Sequence, residues 1–126
     1  MILIEDILAI HQFSIERYGG GDGIRDVGSL ESAIARPFQT YDKQELYPTI
    51  FEKAAALAES LIINHPFVDG NKRTGFLAMA TLIQEDGYFL ASTQEEAYIF
   101  TISISTGESK LNQIVEWLKQ NTKPIQ

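Results

Sequence analysis

Between Thr74 and Glu85 the chain is apolar on nearly every side, with Phe76, Leu77, Met79, Ala80, Leu82 and Ile83 spread around the helical circumference. A helix of that kind has no face to give to water and must be surrounded. A second apolar run precedes it. Thr49-x-x-Glu52 is a capping box, and the alanine-rich stretch behind it reaches about Asn64 before Pro66 ends it. Two such helices need partners, and the flanking sequence offers them. An amphipathic helix is expected over about 4–18, with Ile7, Leu8, Ile10 and Ile15 on its apolar face. A short one from about Ser29 to Ala35 stops before Pro37, since the residue ahead of a proline is pushed out of helical geometry. Ser92-x-x-Glu95 opens a further helix that closes near Gly107, and Leu111, Ile114, Val115 and Leu118 mark the last. Gly87 is expected to cap the central helix. Residues 37–48, PFQTYDKQELYP, lack a helical period and read as an exposed loop or short hairpin. The expected fold class is all-α, a bundle of about six helices with room for one small β-hairpin flap, folded as a single domain over 1–126.

The two central helices are joined by Asn64 to Gly75, NHPFVDGNKRTG, which concentrates most of the chemistry of the chain. His65 and Asp69 have the spacing of two metal ligands on a helix, but Pro66 breaks the helix between them. With one other histidine, His11, far away in sequence and no cysteine, a zinc site lacks ligands. GNKRT resembles the end of a phosphate loop of the Walker type, yet the glycine spacing is wrong and such a loop follows a strand. The GGGDG run, Gly19 to Gly23, also fails the dinucleotide pattern and reads as a helix C-cap and turn.

An anion site remains. Gly70 and Asn71 tolerate the backbone geometry that turns successive amides inward, and the helix starting here adds its free N–H groups and positive dipole end. Lys72 contributes a point charge and Arg73 a bidentate fork suited to phosphate. Asp69 beside such a site suits Mg²⁺, which takes one or two carboxylates plus phosphate oxygens. His65 can act as a general base towards a hydroxyl. Phe67 is expected to point into the core and hold the loop.

Charge and composition restrict the partners. Seventeen acidic against ten basic residues give a net charge of −7, so direct nucleic-acid binding is not expected and a partner with basic surfaces suits the chain better. The absence of cysteine excludes thiolate nucleophiles and disulfides. No apolar run approaches the roughly 20 residues of a membrane span. The N-terminal MILIEDILAI is interrupted by Glu5 and Asp6 without a basic n-region, and reads as the start of a helix instead of a signal peptide. A cytoplasmic location without a membrane partner is the expectation.

HPFVDGNKR resembles the signature of the Fic/Doc superfamily, in particular its Doc (death-on-curing) branch. The similarity extends to RYGGGDGIRDVGSLESAIARP (Arg17 to Pro37) and to ISTGESKLNQIVEWL (Ile104 to Leu118), so it covers almost the whole chain. The resemblance implies a Fic-type helical core and the toxin of a type II toxin–antitoxin system. Its activity would be Mg²⁺-dependent transfer of the γ-phosphate of ATP to a threonine hydroxyl of elongation factor Tu, which inhibits translation. It further implies His65 as catalytic base, Asp69 as Mg²⁺ ligand, Gly70 and Asn71 as phosphate cradle and Arg73 as phosphate grip. Residues 37–48 would be the flap that holds the target in extended form by strand addition.

Two departures from the AMP-transferring Fic pattern bear on the reaction. Such enzymes have glycine where Lys72 stands and a second arginine where Phe76 stands. Phe76 cannot hold a terminal phosphate, which favours phosphoryl over adenylyl transfer. The Fic-type inhibitory pattern fails at Ala97, after Ser92 and Glu96, so inhibition falls to a separate cognate antitoxin. A Fic-type AMP transferase and a non-catalytic binding module that kept the fold stay open as alternatives.

Overall fold

In the computed structural model, which describes residues 2–126, the apolar runs sit where their composition requires. Helix α3 (Ile50–Asn64) and helix α4 (Asn71–Glu85) lie side by side at the centre. Their contact is close because Gly75 has no side chain: a Cβ there would stand 2.6 Å from Ile62 Cγ1. Small residues on α3 (Ala54, Ala55 and Ala58) bring neighbours near, while Leu57, Leu61 and Ile62 fill the core, each fully buried. Burying each of these large side chains is worth about 1.5–3 kcal/mol, so α3 contributes much of the stabilising apolar area.

The remaining helices close around this pair: α1 (Ile4–Tyr18) packs on α4, α2 (Val27–Ala35) on α3, and α5 (Gln94–Ser105) and α6 (Leu111–Asn121) complete the enclosure. The six α-helices of the described residues are those expected, with shifted ends. Asp26 caps α2 by accepting from the Ser29 amide, so this helix starts two residues before Ser29. α4 starts at Asn71, three residues before Thr74, inside the motif itself. The capping box of α5 is Thr93 with Glu96, one residue beyond the expected pair, with the Glu96 carboxylate on the Thr93 amide at 2.8 Å. The face of α1 also differs: Ile7 is buried, but Leu8 is 36% exposed, and the buried stripe runs Ile7, His11 and Ser14.

Residues 37–48 form a single 3-10 turn (Arg36–Phe38) and then the expected hairpin, β1 (Thr40–Tyr41) with β2 (Gln44–Glu45). Its two turn residues, Asp42 and Lys43, both have positive φ, the geometry of a tight hairpin turn. Arg36 anchors the base, bonding Tyr47 Oη at 3.0 Å, Glu59 Oε1 at 2.9 Å and Ser60 Oγ at 3.0 Å. All four strand residues are exposed. A second small sheet, β3 (Tyr88–Leu90) with β4 (Thr122–Pro124), ties the end of α6 to the end of α4 and had no counterpart in the sequence expectation. Among the described residues, no helix is long and apolar enough to cross a membrane.

Candidate functional site

The loop between α3 and α4 is shaped by a side chain inside it. Asn71, buried at the first position of α4, accepts from the Phe67 amide at 2.9 Å and donates to the Phe67 carbonyl at 3.0 Å. Its side chain thereby closes residues 67–71 into a tight ring, so what Asn71 can offer an anion is its backbone N–H. Gly70 takes the left-handed conformation (φ 78°, ψ 15°) that opens the helix without a side-chain cap. Thr74 makes the first helical bond, to the Gly70 carbonyl at 2.9 Å. The amides of Asn71, Lys72 and Arg73 therefore have no carbonyl a turn behind them and remain free for a ligand. Phe67 is buried, as expected, and stacks on the His11 ring with centroids 3.8 Å apart and planes 7° from parallel.

Asp69 is exposed yet firmly placed. Its Oδ1 accepts from the Gly70 amide at 2.8 Å and its Oδ2 from the Gly21 amide at 3.2 Å. These bonds hold its carboxyl below the usual carboxylate range, the Gly70 amide contributing most and the Gly21 amide next, with Arg73 and Lys72 adding attraction. The glycine run thus does more than end α1. A Cβ on Gly20 would stand 2.8 Å from Asp69 Oδ2, so the loop approaches the carboxylate at a distance only glycine allows. The two loops are zipped together by backbone bonds, Val68 N–H to Gly23 at 3.0 Å and Arg25 N–H to Pro66 at 2.7 Å.

His65 ends α3 in the left-handed region (φ 48°, ψ 59°), and the residue is exposed. Few non-glycine residues adopt this geometry, and it persists only where the surroundings impose it. Here Arg25 imposes it: Nε donates to the His65 carbonyl at 2.6 Å and a terminal nitrogen to the Asn64 carbonyl at 2.7 Å. The guanidinium satisfies two carbonyls at the end of α3 and complements its negative dipole end. The imidazole makes no hydrogen bond or ring contact within the described residues, which leaves both nitrogens open.

Lys72 and Arg73 are both exposed on the first turn of α4. The Arg73 guanidinium lies 5.1 Å from the centre of the Tyr18 ring, at the end of α1. Both cations stand at one edge of a cleft of about 600 Å³ lined by α4 and α5, with Phe76, Leu77, Tyr98 and Ile102 supplying much of its apolar wall. Phe76 is half-buried there.

All the residues singled out from the sequence thus lie on one continuous turn and helix start. Four others were missed. His11 lies against the loop from α1 through a bond between Nε2 and the Asp69 carbonyl at 2.9 Å, although 58 positions separate them. Gly21, Arg25 and Tyr18 complete the set. One signal was present: His11 and Ser14 fall four and seven residues after Ile7, on the buried stripe. A polar pair on such a stripe needs a reason.

A mostly helical scaffold that exposes free helix-start amides between a fixed carboxylate and two cations is Fic-like. A model of the "Fic/DOC family" matches residues 2–83, and the chain belongs to that family. It is 42% identical over 88 residues to "Toxin Doc" of Mycolicibacterium smegmatis, an alignment covering 70% of this chain and 65% of that protein. It is 29% identical over 116 residues to "Protein kinase doc" of Escherichia phage P1, covering 92% and 90% of the two chains. The chain thus spans just under two thirds of the length of the first relative and nine tenths of the second.

Proposed function

We propose that this protein is a Doc-type toxin that phosphorylates a threonine hydroxyl on a protein of the translation apparatus, elongation factor Tu, using ATP and Mg²⁺. The observation that carries the reading is the Asp69 carboxylate, held ionised by two backbone amides beside the free amides of Asn71, Lys72 and Arg73. The name of the phage relative, a protein kinase, is consistent with it.

In this reading the polyphosphate of ATP lies across the start of α4. The free amides and the Lys72 and Arg73 side chains neutralise it, which is most of what phosphoryl transfer asks of a protein. His65 accepts the proton of the attacking threonine hydroxyl as the oxygen–phosphorus bond forms and the bond to the β-phosphate oxygen breaks, releasing ADP. Asp69 fits a Mg²⁺ ligand: each of its oxygens accepts one amide and retains a lone pair, beside the free amides of α4. Such a site suits an ion that takes most of its ligands from water and phosphate, and that ion would supply charge neutralisation between the phosphates. The exposed β1–β2 hairpin offers the target segment a free edge for strand addition.

The test uses ATP labelled at either the α or the γ position, incubated with the protein and a bacterial lysate. Transfer of the γ label to a protein the size of elongation factor Tu is expected. Transfer of the α label would make this an AMP transferase, and transfer of neither label would leave a binding module.

The toxin reading also requires a neutralising partner. The cleft beside Lys72 and Arg73 is apolar along α4 and α5 and cationic at one end, which suits an amphipathic helix that folds on binding and carries acidic residues at one end. Expression of this chain alone should arrest growth, and co-expression with its antitoxin should restore it. A chain harmless at high expression would remove the toxin reading.

A further inference from the structure

Among the described residues His11 is the one buried titratable side chain touching the site, and its geometry gives it a role the loop sequence does not announce. It is 3% exposed and makes three kinds of contact with the loop. Its ring stacks on Phe67 at 3.8 Å. Its edge lies under Gly70, where an added Cβ would stand 3.7 Å from Nε2 and Cδ2. Its Nε2 meets the Asp69 carbonyl at 2.9 Å. A carbonyl oxygen can only accept, so Nε2 carries the proton and donates.

The consequence follows from the planarity of one peptide unit. The carbonyl of Asp69 and the N–H of Gly70 belong to the same trans peptide and point in opposite directions. A donor that draws the carbonyl inward therefore turns the Gly70 N–H outward. That N–H is the group that holds Asp69 Oδ1 at 2.8 Å. The position of the carboxylate on the surface is thus set by an imidazole beneath it, acting through a rigid plane.

We propose that His11 is a positioning residue for the phosphotransfer centre, orienting the Asp69 carboxylate and the start of the amide nest through the Asp69–Gly70 peptide. The inference rests on the phosphotransfer reading for its consequence but not for its geometry. His11 does not touch the reacting atoms. Its effect should resemble that of the outer partners of metal ligands, whose loss costs about 10–100-fold in activity or metal affinity.

Two substitutions separate the hydrogen bond from the packing. His11→Phe keeps a flat ring to stack on Phe67 but removes the donor, while His11→Gln restores an amide donor at similar reach. The first readout is the ¹H–¹⁵N spectrum of the protein without nucleotide, in which the Gly70 and Gly21 amides bonded to a carboxylate resonate downfield. Both should move upfield in His11→Phe and return in His11→Gln, with circular dichroism reporting that each variant is folded. The second readout is γ-phosphate transfer, expected to fall about 10–100-fold in kcat for His11→Phe and to recover in His11→Gln. Unmoved amides in a folded His11→Phe would overturn the proposal, as would shifted amides with undiminished transfer. A wild-type protein without transfer, whose amides nonetheless respond as described, would overturn the phosphotransfer reading alone and leave the control of loop geometry by His11 standing.

Discussion

Replacing His65 with alanine should lower phosphate transfer by about 10²–10⁴-fold, the usual cost of losing a general base, and should abolish growth arrest. The fold should be unaffected. The imidazole is exposed and makes no bond within the described residues, and the backbone at this position is held through the carbonyls that Arg25 grips. Alanine in the left-handed region is itself strained by about 1–2 kcal/mol, but histidine carries a comparable strain, so the difference between them is small. Nucleotide binding should also persist, because the amides and cations proposed to receive phosphate belong to α4. The informative measurement is therefore a pair: transfer rate and ATP affinity on the same preparation. Unchanged toxicity in this variant would sink the base assignment, and lost ATP binding would show that His65 holds the nucleotide instead.

Asp69→Ala should be of similar severity by another route. With Asp69 as the proposed Mg²⁺ ligand, its removal forfeits charge stabilisation worth several kcal/mol, so a fall of about 10³-fold in transfer is expected. Calorimetric titration with ATP should show binding strengthened by Mg²⁺ in the wild type and insensitive to it in the variant. Equal Mg²⁺ dependence in both would remove Asp69 as the ligand. The same substitution also bears on acid stability. Because the folded carboxyl is held below its ordinary value, the ionised form stabilises the fold. That contribution is complete above the unfolded value and disappears as pH falls through the folded one. The wild type should therefore lose stability relative to the variant only in strongly acid solution, and the two should respond alike to pH changes around neutrality.

The elements legible in the sequence are those whose signals are local. Helices α3 and α4 announced themselves because apolar residues recur within a turn or two of each other, and Pro66 and Gly70 mark the break between them. The flap hairpin followed from prolines at both ends of a stretch without period. The motif was legible for the same reason: His65, Asp69, Gly70, Lys72 and Arg73 lie within nine consecutive positions, so one turn and one helix start suffice to bring them together. Boundaries slipped where the deciding contact was a cap. Asp26 accepts from the Ser29 amide and so starts α2 two residues before Ser29, and α5 takes Thr93 over Ser92 as its cap.

The tertiary structure alone decided what holds the motif in place. The glycine run was read as the end of a helix, and it is one, but the packing of α1 against α4 lays it on Asp69 so that Gly21 becomes a donor to the carboxylate. Arg25 reaches the end of α3 from 39 and 40 positions away, and His11 meets the Asp69 carbonyl from 58. The short β3–β4 ladder likewise joins segments on either side of α5 and α6. None of these pairings has a periodic signature, because each depends on the angle and depth at which two helices cross. That crossing is fixed by the summed packing of many apolar side chains, none of which takes part in the chemistry. The sequence by itself thus determined which groups could act and that they would stand together. The crossing of α1 over α4 determined that one carboxylate would be bound at both oxygens, and why a buried histidine lies beneath it.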